Sequence, residues 1–85
     1  MYTITPFYYR CFETLRTYIS HEKINVKLVG SGRDKDYLHD GISHWSEDAK
    51  PILDTMPNIR QYWPIEEEIP EVIDTMIKSP HPCFL

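Results

Sequence analysis

The stretch "TPFYYRCFETLRTYIS", residues 5–20, restricts the fold more than any other. Thr5 has the chemistry of an N-cap, and Pro6 falls at the first helical position, where a missing N–H costs nothing. Phe7, Tyr8, Cys11, Phe12, Leu15, Tyr18 and Ile19 recur at helical spacing, with Arg10, Glu13, Thr14 and Thr17 on the other side. The helix predicted here runs into "INVKLV", where Ile24, Val26 and Leu28 alternate with Asn25 and Lys27 as in a half-buried strand. A lone strand has no partner of its own. The β-compatible "YTIT" ahead of the helix is its natural neighbour, reached by a right-handed βαβ crossover.

Downstream, "GSGRDKD" at 30–36 reads as a loop, and Asp40-Gly41 is a hairpin-turn dipeptide with short apolar flanks, which predicts a second hairpin there. Asp48 stands as the cap of a helix carrying Ala49, Ile52, Leu53 and Met56, and the period continues through Ile59 and Trp63 past Pro57, implying a kink or a second short helix. Ile69, Val72, Ile73, Met76 and Ile77 form a last apolar stripe, ending near Ser79-Pro80. "PILDTM" and "EVIDTM" share a phrase twenty residues apart. Two copies make no solenoid, and a common grammar of cap and stripe accounts for them. The expected fold is α+β: a single compact domain over 1–85, with an N-terminal helix packed on a small sheet and a largely helical C-terminal half.

A chain of 85 residues closes only a thin core. Residues 1–40 carry six Lys/Arg against five Asp/Glu, whereas residues 41–85 carry three against eight. Such an acidic half lacks the cations that phosphate backbones require, so direct nucleic-acid binding is not expected. No apolar run reaches the length of a membrane span, and "MYTITPFYYR" lacks the basic and apolar regions of a signal peptide. Two cysteines, Cys11 and Cys83, are too few for a disulfide scaffold. A cytoplasmic location is expected. Cys11 belongs to a buried helical stripe, while Cys83 in "SPHPCFL" is expected to be the more exposed.

The most unusual stretch is "QYWPIEEEIPEV". Glu66, Glu67 and Glu68 in succession point in three directions on a helix, so they do not provide the paired, differently tuned carboxylates of acid–base catalysis. Carboxylates near a helix N-terminus are stabilised by the macrodipole, which explains part of the run. It does not explain the imbalance: Lys78 alone answers Glu66, Glu67, Glu68, Glu71 and Asp74. Tyr62 and Trp63 stand beside them, and both are residue types enriched at interface hot spots. Acids beside aromatic rings suit steering toward, and anchoring on, a basic protein surface.

His39, Asp40 and His44, with His81 and Cys83 farther off, lack the paired ligand spacing of a structural zinc site, so neither metal nor cofactor is expected. Gly30-Ser31-Gly32 follows a strand but lacks the Gly-Lys-Ser/Thr ending of a phosphate loop. The expectation is therefore a non-enzymatic protein-binding protein. It would act as an inhibitor or regulator of the phage counter-defence or host-takeover kind, docking on a basic surface such as that of a nucleic-acid-handling enzyme. Its partner-binding residues would be Tyr62, Trp63, Glu66, Glu67, Glu68, Glu71 and Asp74, and a homo-oligomer is compatible with the sequence. The alternatives are a small subunit or assembly factor of a larger complex, and a nucleotide or phosphate binder using the Gly30–Asp36 loop.

Overall fold

A computed structural model describes residues 1–85 and shows an α+β chain organised on one four-stranded sheet. The strands are β1 (Tyr2–Ile4), β2 (Lys27–Ser31), β3 (Arg60–Gln61) and β4 (Cys83–Phe84), in spatial order β1-β2-β4-β3. All three pairings are parallel, with Tyr2 opposite Val29, Leu28 opposite Phe84, and Gln61 opposite Phe84. The helix predicted over 5–20 is present and is called α1. It is irregular, tightening to a 3₁₀ helix over Thr5–Cys11, passing one α turn at Phe12–Thr14, and loosening to a π helix over Leu15–Ser20. The other helices are α2 (Ala49–Asp54) and α3 (Ile69–Lys78), the latter entered through a 3₁₀ turn at Glu66–Glu68.

Strand order and handedness decide which face each helix covers. The connections β1-α1-β2 and β2-α2-β3 advance in one direction across the sheet, whereas β3-α3-β4 turns back. Right-handed crossovers therefore place α1 and α2 on one face and α3 alone on the other. The core lies under the pair: Tyr8, Leu15, Leu28, Leu53, Met56, Ile59 and Phe84 form one buried cluster. The Tyr8 ring meets Phe84 edge-on at 5.8 Å, and its hydroxyl lies within hydrogen-bond distance of the carbonyls of Met1 (3.1 Å) and Val29 (3.0 Å). A buried phenol thus fills space while tying β1 to β2.

Several local expectations change. Thr5 does not cap α1; its hydroxyl lies 3.3 Å from the Ser31 carbonyl and 3.2 Å from that of Gly32, fastening the helix start to the end of β2. Asp48 sits at the N-cap of α2, but its carboxylate accepts a hydrogen bond from the Tyr9 hydroxyl (2.8 Å), linking α1 to α2 instead of capping. Burial and this carboxylate together push the Tyr9 phenol above its usual pKa range. The hairpin expected at Asp40-Gly41 does not form. Leu38–Asp40 is a 3₁₀ turn followed by Gly41 at φ +75° with an extended ψ, and no strand flanks it.

The helical pattern through Pro57 also stops short. α2 ends at Asp54, and the chain turns into β3, because a residue preceding proline is pushed toward extended conformations. Cys83, expected near the surface, is fully buried in the central β4, whereas Cys11 is only half-buried; both are free thiols. The shared phrase ends in Met56 and Met76, each buried, but on opposite faces of the sheet.

Candidate functional site

Residues 61–64 form a ridge between two depressions. On one flank, Tyr62, Trp63 and Pro64 join Gln61, Glu68, Glu71 and Val72 around an open groove of about 420 Å³. Local chemistry fixes both walls. The Tyr62 N–H donates to the Phe84 carbonyl (2.8 Å), so the ridge continues from the sheet edge. The Trp63 ring packs on Phe84 at 5.7 Å, and its N–H donates to the Gln61 side chain (3.1 Å). Its inner face thereby belongs to the core. The opposite wall starts where Glu68 accepts the N–H of Ile65 (3.0 Å), the half of a capping box that holds a helix entrance. Pro70 follows in the first turn of α3.

The acidic residues separate by role. Asp74 pairs with Lys78 at 2.7 Å, four residues on, and both are exposed. Glu68 is engaged in the cap. Glu66, Glu67 and Glu71 are exposed and belong to none of the five ion pairs of the molecule. Of the seven residues expected at a partner surface, the groove brings together Tyr62, Trp63, Glu68 and Glu71. Glu66 and Glu67 stand outside it on the same acidic end of α3, and Asp74 lies a turn further along. Gln61 and Val72 also line the groove, although neither carries a functional signal in the sequence.

The other flank opens onto the ends of the strands. A cavity of about 570 Å³ there is bordered by Val29, Arg33, Tyr62, Trp63, Ile69 and Ile73, among others. The C-terminal edge of a parallel sheet is where such folds usually hold ligands. Only recognition of β3 and β4, two residues each, would have revealed this edge in the sequence.

The glycines of the nearby loop have structural reasons. A Cβ at Gly30 would collide with the Thr5 hydroxyl and approach Phe84 Cζ to 2.8 Å, and one at Gly32 would enter the Tyr37 ring. Gly32 also has φ +83°, which side chains rarely adopt. The Arg33 N–H is already taken by Asp36 Oδ2 (2.9 Å), and Ser46 closes the loop through the carbonyls of Gly32 and Asp34. These bonds close the turn on itself. Nowhere do three or more His, Cys, Asp or Glu side chains converge as metal ligands would, and His39, Asp40 and His44 remain a surface turn. No helix is long and apolar enough to cross a membrane. No protein-family pattern, curated protein or solved structure matches this chain.

Proposed function

We propose that this protein binds another protein through the groove between the Tyr62–Pro64 ridge and the first turns of α3, as an inhibitor or regulator that docks on a basic surface. A nucleic-acid-handling enzyme presents such a surface. The observation that carries this reading is the meeting of Tyr62 and Trp63 with Glu68 and Glu71 in one groove, next to carboxylates that have no internal cation. Glu66, Glu67 and Glu71 supply uncompensated negative potential, which raises the encounter rate with a cationic partner. The half-buried rings then offer a rigid apolar wall against which an arginine or lysine stem can settle. Glu68 and Glu71 are both exposed to solvent, which favours attraction over proton transfer and supports a non-catalytic role.

The test is a comparison of wild type with a Glu66→Lys, Glu67→Lys, Glu71→Lys variant. Proteins captured from the native host by wild type are identified, purified and measured for association kinetics across a salt series. The variant is expected to associate at least about tenfold more slowly at low salt, with a flattened salt dependence. Unchanged kinetics toward every captured protein would remove this reading.

A further inference from the structure

We infer that the cavity at the strand ends is a binding site for an unbranched aliphatic carboxylate, with Arg33 holding the head group and the open side of the α3 face holding the tail. Three observations converge on it. Its volume, about 570 Å³, lies in the range of small-molecule sites, roughly 300–1,000 Å³. It shares Tyr2, Val29 and Ile73 with a second depression of about 220 Å³, which Met76 and Ile77 also line. Together the two depressions make a largely apolar trough between α3 and the strands β1 and β2.

The second observation is the shortage of cover. All-parallel sheets normally have both faces buried. Here a ten-residue helix covers its face alone, and Ile73 (39% exposed), Ile77 (69%) and Tyr2 (71%) remain in water. An alkyl chain along the trough would bury these side chains.

The third observation is charge. Arg33 is at the head of the trough, its Nη2 donating to the Pro64 carbonyl (2.9 Å), with no carboxylate within ion-pair distance. Two carboxylates also border this cavity: that of Asp36, which accepts the Arg33 backbone N–H (2.9 Å), and that of Leu85, whose oxygen accepts the Gly30 N–H (2.7 Å). At the tail end, Lys27 is saturated by the Asn25 side chain and by the carbonyls of Ser79 (2.8 Å) and His81 (2.6 Å), and the Met1 ammonium donates to the Lys27 carbonyl (2.7 Å). One guanidinium with its remaining N–H groups free fits a single carboxylate, which it can bind through two parallel bonds.

The probe is decanoate, titrated at pH 8 into uniformly ¹⁵N-labelled protein, with decanol and decylamine as head-group controls. Saturable amide shifts are expected at Gly30–Arg33 and along Ile69–Ile77, with a Kd of about 0.1–1 mM for so small a ligand. Arg33→Met is expected to weaken decanoate about tenfold or more while leaving decanol unaffected. Ile73→Glu, at a partly exposed position, is expected to abolish binding of both while the fold persists. The proposal is overturned if decanoate does not saturate below about 10 mM, if decanol or decylamine binds as tightly as decanoate, or if the shifts map elsewhere. It is equally overturned if a folded Arg33→Met protein binds decanoate like wild type. None of these outcomes bears on the groove beyond the Tyr62–Pro64 ridge.

Discussion

Under α1 and α2 the sheet carries a seven-residue cluster that includes two aromatic rings in edge contact; on its reverse, α3 buries a single residue of its own, Met76. The same four strands serve both sides, so the contrast comes from connectivity. Two crossovers advance and one returns, which gives one face two helices and the other face one. Stability therefore concentrates on the first face, and display concentrates on the second. α3 leaves an apolar trough along one side and an acidic groove along the other.

The contrast can be broken most directly at Phe84. This residue touches the cluster from the central strand, so Phe84→Ala should cost about 3–5 kcal/mol, enough to unfold much of a domain this small. Urea denaturation followed by circular dichroism measures it. If Ile73→Ala or Ile77→Ala costs as much, the two faces are energetically alike and the division of labour fails.

Next in size comes Lys27, whose ammonium holds the turn after α3 by the carbonyls of Ser79 and His81. Lys27→Met leaves those carbonyls without their donor and should cost about 1–3 kcal/mol. Hydrogen exchange should then rise in α3 before it rises in α1. Simultaneous loosening of both helices would show that the faces do not open separately.

A smaller effect is expected at the α1–α2 contact. Tyr9→Phe removes the hydrogen bond to Asp48, a change of about 1 kcal/mol or less. It should also alter the alkaline arm of stability. The Tyr9 phenol is raised above its ordinary 10.0 by burial first and by Asp48 second, and Tyr8 is raised chiefly by burial. The unfolded chain therefore loses these protons before the folded one does. Their contribution is full below pH 10 and declines as pH rises from there toward the folded values. Melting temperatures from pH 8 to 12 should fall less steeply for Tyr9→Phe. The least effect is expected from Ile77→Ser at an exposed position of α3, within about 0.5 kcal/mol by the same denaturation assay.

What the sequence could reveal follows the length of each element. The 3.6-residue period over 5–20 and 69–78 carries its own signal, and the βαβ start follows from the need of one strand for another. Lys27–Ser31 was displaced from the alternation at Ile24–Leu28, because β2 takes its register from pairing with β1, which lies far away in sequence. β3 and β4 have no period at all, since two residues cannot alternate. The acidic half of the groove was legible as an uncompensated run, and Tyr62 and Trp63 as rings beside it. Their convergence with Glu68 and Glu71, and the engagement of Asp74 by Lys78, depend on where β3 delivers the chain.

β4 is the last strand in sequence, yet it lies between β2 and β3. A ribosome therefore releases the middle of this sheet after both of its neighbours, and Arg60 and Gln61 have nothing to pair with until residues 83–84 emerge. A nascent chain that stalls before them has a gap at its centre, not a frayed margin. Deleting residues 80–85 should accordingly dismantle the whole domain.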